Sequence, residues 1–410
     1  MAPDEIEPSP TPGPGSYRAT NPIDLPRIER STILSGVADG IYIAGPDTVR
    51  EFNRYGATFV DDPDEVGLFG GKIGPGRYLY APDFTAAVSH ATLVGYRTIL
   101  TVDRQFFTDE GYVEPKVFQS QLDRISRPDP FSNELTGLIP TGQDGGFRLE
   151  PGDRKHRSVE GDVVVLCSDE PQSYGSFLFR VVPKVQAIRH LGLTDLPCIV
   201  YAKPKPFTDL LDFCGIQADA IVLHDMEAVT EIDRAIVPCL RNQHAYLDPD
   251  SIEIYAELRA SYGSPRTGRN VYVSRMGLNQ SGRGASRVMV NEGELITRLE
   301  AMGFETIEPE TLSVEEQIMT FSSASIIVGP SGSGMFNTMF CHPGTKVIDI
   351  QSEPHWIYSY TGMYSSLELE YGIFLGKPDP EDFKPVHRRF SVNIDALTTR
   401  IRSFIAEASW

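Results

Sequence analysis

The stretch from Ser325 to Ile350 constrains the fold more than any other part of the chain. An apolar run, Ile326 to Val328, feeds a turn of small residues from Gly329 to Gly334. An apolar helical stretch follows from Met335 to Cys341, Pro343-Gly344 stops it, and a β-branched run resumes at Lys346. This order reads as strand, glycine turn, helix, strand. Such a turn leaves backbone N–H groups free at the positive end of a helix, which makes it an anion site suited to phosphate. Ser331 and Ser333 add hydroxyl donors, and Gly332 and Gly334, behind Pro330, let a pyrophosphate approach the backbone. Asn337 lies one helical turn beyond Ser333, placed either to cap the turn or to hold a ligand oxygen.

The surrounding pattern extends this unit into alternating strands and helices. Before it, the spacing predicts strand Asn270 to Ser274, helix Asn291 to Met302, strand Phe304 to Ile307 and helix Ser313 to Ser323. After it come strand Lys346 to Ile350 and an amphipathic helix, Ile394 to Ala406. Asn291-x-x-Glu294 and Ser313-x-x-Glu316 have capping-box spacing. Upstream, strand Asp162 to Cys167, helix Tyr174 to Leu191, strand Pro197 to Tyr201, helix Phe207 to Cys214 and strand Ala220 to Leu223 repeat the alternation. Short links between such elements give parallel sheets. Between Ser31 and Pro151, short apolar runs broken by Gly, Pro and Asp predict a β-rich segment. The expected fold class is therefore α/β, with two facing lobes and a break at Asn242 to Asp250. The expected domains are a disordered tail (1–28), a β-rich segment (29–150), a first lobe (151–245), a second lobe (246–380) and a C-terminal helix crossing back to the first lobe (381–410). Ligands of open α/β sheets sit beyond the carboxyl ends of the strands, so a cleft between the lobes is the place to look for function.

Composition narrows the function. A 410-residue chain exceeds what one core usually organises. Its formal charge of −19 argues against nucleic acid, which demands a surplus of Lys and Arg. Five cysteines without a C-x-x-C pair fit reduced, buried thiols of a cytoplasmic protein and predict no metal site. The acidic, proline-rich start has neither the basic nor the apolar region of a signal peptide. No stretch of about 18 apolar residues occurs, so a transmembrane helix is not expected, although peripheral docking on a membrane remains compatible with the sequence.

Charged and polar residues at the expected strand ends supply the candidates. Arg275 follows Val271-Tyr-Val-Ser directly, and arginine there matches diphosphate geometry. Arg283 and Arg287 follow in a Gly- and Ser-containing loop. Glu292 and Glu294 are explained first as acids at a helix start, with a donor-sugar contact as a second role. Across the cleft, Asp169 and Glu170 sit at a strand's carboxyl end, where a carboxylate suits general-base work. Ser173, Tyr174 and Ser176 open the next helix, where capping accounts for at least one of them. His355, beside Trp356, is a candidate for stacking on a base or sugar. Neither a His-x-x-x-His pair nor a Gly-x-Ser-x-Gly elbow is present, which removes support from metalloenzyme and hydrolase readings.

Taken in order, Val271-Tyr-Val-Ser-Arg275, Arg287, Asn291-Glu292, Leu312 to Gln317, Ile327 to Gly334, Asn337, Phe340 and Pro343-Gly-Thr345 resemble glycosyltransferase family 61, the group often labelled capsular polysaccharide biosynthesis proteins. The resemblance covers about residues 160–375. It implies a two-lobed GT-B fold and inverting transfer of a sugar from a nucleotide donor, with an oligosaccharide or lipid-linked glycan as the expected acceptor. No divalent-metal motif is visible in the sequence, so metal-independent transfer without a cofactor is expected. Where that family usually carries histidines, this sequence has Ser331 and Ser176. On this reading the backbone amides of Ser331 to Gly334, behind Pro330, and the side chain of Arg275 hold the leaving diphosphate, with Asn337 and Arg287 in support. A catalytically degenerate member that binds a nucleotide or glycan within an assembly complex is the competing expectation.

Overall fold

A computed structural model describes residues 16–26, 41–44, 50–61, 76–80, 83–126, 137–141, 146–241, 246–280, 287–352, 358–383 and 388–406. Two large sheets organise them. In the first, β1 (Thr85–Val94), β2 (Lys155–Val165), β3 (Cys198–Val200), β4 (Ile221–Leu223) and β5 (Ala228–Pro238) form the body. Strands β5-β2-β3-β4 lie in that order and are parallel, while β1 pairs antiparallel with β5. Shorter strands, Ile41–Ala44, Thr98–Leu100, Gln105–Phe107 and Arg18–Ala19, bring the sheet to nine. The β-rich segment thus builds the antiparallel half of the first sheet. Residues 16–26, assigned to a disordered tail on composition, instead add a strand: Arg18 and Ala19 pair with Gln105 and Phe106.

The second sheet is parallel throughout. It comprises β6 (Arg269–Val273), β7 (Phe304–Ile307), β8 (Ala324–Pro330), β9 (Lys346–Gln351) and β10 (Glu370–Leu375) in the order β7-β6-β8-β9-β10. Phe59–Val60, from the β-rich segment, closes its far edge. The amino-terminal region therefore contributes strands to both sheets.

Helices cover the faces of both sheets. The first half supplies α1 (Val182–Leu191) and α2 (Lys205–Phe213). The second supplies α3 (Pro249–Tyr262), α4 (Glu292–Glu300), α5 (Val314–Ser323) and a 3-10 helix, Ser333–Phe340. Val164, Leu178, Val185 and Leu211 share one buried cluster with Tyr255, Val273, Ile318 and Phe340, so the halves meet over a common apolar layer. Phe213 stacks on Tyr262 at 4.1 Å between ring centroids. Burial also holds all five cysteines as free thiols and pushes Cys167, Cys198 and Cys214 up to about 12.

Local chemistry explains most helix starts. Asp248 caps α3 by accepting from the amides of Asp250 and Ser251, and Ser313 with Glu316 completes a capping box on α5. Asn291 does not cap α4. Its side chain instead pairs with the backbone of Val392 on both sides, Nδ2 to O at 2.8 Å and N to Oδ1 at 3.1 Å. The last helices are α6 (Tyr358–Ser366) and α7 (Ile394–Ala406). Helix α7 does not return to the first half: Leu397, Ile401 and Phe404 pack with Tyr272, Ile326 and Ile348 on the second sheet. Its amphipathic stripe finds the nearest uncovered sheet face there. Among the described residues no helix is long and apolar enough to cross a membrane.

Candidate active site

The carboxyl ends of β6, β8 and β9 converge. Arg275 leaves β6, and its backbone N–H donates to Glu292 Oε1 at 2.8 Å. The same oxygen accepts from Ser274 Oγ at 3.0 Å and Tyr272 OH at 3.2 Å. Glu292 is 3% exposed, so in this structure it fixes the strand end that carries Arg275. The Arg275 guanidinium crosses to the glycine turn, where Nη1 donates to the Ser331 carbonyl at 3.0 Å. A Cβ at Gly332 would lie 2.9 Å from that nitrogen, so a glycine is what lets the guanidinium lie against the turn. Burial, then the like charge of Arg287, brings Arg275 down to about 10. Arg287 has a φ of 59°, and its Nε is buried without a hydrogen-bond partner. Two adjacent guanidiniums with a buried unsatisfied donor favour an anion.

The turn itself differs in detail from the sequence expectation. Ser331 N–H donates to the Ile350 carbonyl at 2.9 Å and so is not aimed at a ligand. The sheet pairing of β8 with β9 runs two residues further, through Pro330, than the apolar run Ile326 to Val328 indicates. The first intrahelical bond is Met335 N–H to Gly332 O at 3.0 Å, which leaves the amides of Gly332, Ser333 and Gly334 ahead of it. Asn337 is fully buried: Nδ2 donates to the Gly334 carbonyl at 3.2 Å and Oδ1 accepts from Tyr174 OH at 2.8 Å. It fixes the turn and ties it to the first half.

That first-half partner is the segment starting at Ser173. Ser173 accepts from the Ser176 amide at 3.3 Å as the helix cap, and its Oγ stands 3.5 Å from Ser333 Oγ. Gly175 packs face-on against Phe336, where a Cβ would come within 2.5 Å of the ring. The hydroxyls of Ser176 and Ser331 are both buried without a hydrogen bond of good geometry, the latter close to the Tyr360 phenol. Sequence reasoning placed 173–176 and 331–337 on opposite sides of one cleft, and they meet in the structure.

The two carboxylates proposed as bases have different surroundings. Asp169 lies 2.9 Å from Arg180 Nη1 and 3.7 Å from Arg97 Nη2. It belongs to a charge cluster that also holds Glu110, Lys184 and Asp109. Its carboxylate is thus engaged by two guanidiniums. Burial would raise Asp109, but Lys184 and Arg97 outweigh it and hold that carboxyl down at about 2. Glu170, by contrast, is exposed one residue before the loop turns toward Ser173. His355, Trp356 and Arg283 lie outside the described residues.

Several neighbours escaped the sequence reading. Asp349, Gln351, Tyr360 and Tyr364 form a polar layer behind the turn, and burial pushes the Asp349 carboxyl up to about 7. A lone carboxylate in the otherwise apolar run Val347 to Ile350 was the available signal. The acidic group Asp83, Asp248 and Asp250 has the proximity of a metal set. The Arg241 guanidinium lies among them, with Nε 3.0 Å from Asp248 and Nη2 3.1 Å from Asp83, so a cationic side chain already holds the three carboxylates together.

No curated protein matches the chain. Residues 174–348 match the family model described as Glycosyltransferase 61, a span that takes in the Tyr174 side, the Arg275 clamp and the glycine turn. The glycine turn, Arg275, Arg287, Asn337 and Tyr174 thus lie within a stretch that is similar to glycosyltransferase 61.

Proposed function

We propose that the protein is an inverting glycosyltransferase of GT-B type that transfers a sugar from a nucleotide-sugar donor to an oligosaccharide or lipid-linked glycan in bacterial capsular or exopolysaccharide synthesis. The observation that carries this reading is the Arg275 guanidinium laid on the Ser331 carbonyl beside Arg287 and the start of the 3-10 helix. The leaving diphosphate sits there, against both guanidiniums and the amides of Ser333 and Gly334, and its developing charge is what the site stabilises. Pro330 ends β8, Gly332 keeps the approach open and Asn337 holds the turn. Two arginines supply the positive charge that a cation supplies elsewhere, so transfer is metal-independent and needs no cofactor. The second half (246–380) binds the donor, and the first (151–245) presents the acceptor in the cytoplasm. Glu170 is the free carboxylate for deprotonating the acceptor, while Asp169 orders its loop.

Incubation with a panel of nucleotide sugars, with and without chelator, tests the proposal. Donor turnover should be unaffected by chelator and should fall about 100-fold or more in Arg275→Ala, as expected for loss of a transition-state charge partner. Thermal stabilisation by a nucleotide sugar without turnover supports the second reading, a degenerate binding member of an assembly complex. Serines 176 and 331, in place of the histidines the family resemblance leads one to expect, favour that alternative.

A further inference from the structure

Asp349 lies on β9 opposite Gly329, directly beneath the glycine turn, and is 1% exposed. Its Oδ2 accepts both available bonds, from Gln351 Nε2 at 2.9 Å and Tyr364 OH at 3.1 Å, whereas Oδ1 is buried with none. A carboxyl arranged in this way has a vacant place for a proton on Oδ1. The charged and titratable groups facing it are Arg287, from the loop before α4, and Tyr360 and Tyr364, from α6; Arg275 reaches the same Tyr360. Arg287 in turn keeps a buried, unpartnered Nε. An ionised Asp349 would hold that guanidinium to itself, and a neutral one releases it toward an anion on the turn.

We propose that Asp349 is a positioning residue behind the anion clamp, retaining a proton on Oδ1 when a diphosphate lies between Arg275 and Arg287, so that anion binding and proton retention at this carboxyl are coupled. The proposal rests on the diphosphate site of the proposed function and adds its control. The linkage has a definite sign. A bound anion disfavours a second negative charge beside Arg287, so affinity falls as pH rises and Asp349 ionises.

Isothermal titration of the full chain with inorganic pyrophosphate, from about pH 6 to about pH 8, tests this against Asp349→Asn. Asparagine reproduces the neutral acid, with its oxygen accepting both bonds and its NH2 in the place of the protonated Oδ1. The probe's own ionisation is common to both proteins and cancels. The two should bind equally near the acid end, and the wild type should be weaker by about fivefold or more near the alkaline end. Tyr364→Phe removes a bond that favours the ionised carboxylate, so it should move the wild-type midpoint to higher pH. Parallel profiles for wild type and Asp349→Asn, or an unmoved midpoint in Tyr364→Phe, overturn the coupling and leave the diphosphate site standing. Failure of wild type and Asp349→Asn alike to bind pyrophosphate at any pH removes the site and the coupling together.

Discussion

At the scale of single residues, the site depends on groups whose charge is set by burial. Asp349 is held near neutrality by desolvation, which its two hydrogen bonds and Arg287 only partly offset. Its folded pKa lies above the unfolded value of about 3.9, so the native state retains a proton that the unfolded chain has lost. Stability should therefore fall as pH rises from about 4 through about 7. Thermal denaturation of Asp349→Asn should show little gain over wild type at the acid end of this window and a clear gain above it. Asp109 has the opposite sign. Its depressed pKa contributes stability above the ordinary carboxylate range, which is lost as pH falls toward about 2. Lys184→Met should destabilise the protein at neutral pH by about 3–5 kcal/mol in urea titration, because it leaves a buried carboxylate short of a partner.

Among the elements, the 3-10 helix and the helical turn Tyr174–Ser176 that leads toward α1 are fitted to each other through glycine. Gly175→Ala drives a Cβ into Phe336 and should cost about 1–3 kcal/mol of stability, the usual penalty for overpacking. Gly332→Ala meets the mobile end of Arg275 instead of backbone. It should leave the urea midpoint nearly unchanged while weakening pyrophosphate binding, a separation that denaturation and titration would reveal together. Element types and order were largely legible because strands β6 to β9 are short apolar runs punctuated by glycine, proline and capping residues. Strand β5 was not anticipated. Its exposed Glu231 and Asp233 break the apolar run, and only pairing on both sides, with β2 and β1, explains it. Asn291 misled for a related reason, since a side chain with capping spacing found its partners on the backbone of Val392, about a hundred residues away.

Across the whole molecule, the halves are joined at the site itself. Tyr174 OH to Asn337 Oδ1 links the first half to the glycine turn within a shared apolar layer. Tyr174→Phe leaves a buried acceptor unpaired, and should lower stability by about 1–3 kcal/mol while loosening the turn, read as a higher KM for donor. The charge cluster around Asp109 performs a similar task further out, tying Arg97 of the β-rich segment to the loop that carries Asp169.

The sequence by itself determined the alternation of strand and helix, the parallel second sheet, the glycine turn and Arg275 at the neighbouring strand end. All of these rest on local periodicity, turn chemistry and position at a strand end. Tertiary structure alone decided which polar groups remain available. Asp169 is paired with arginines 97 and 180, Glu292 and Asn337 are consumed in holding the backbone, and burial pushes the Asp349 carboxyl up to about 7. A side chain's chemistry is set by its neighbours and its distance from water, and long-range packing supplies both.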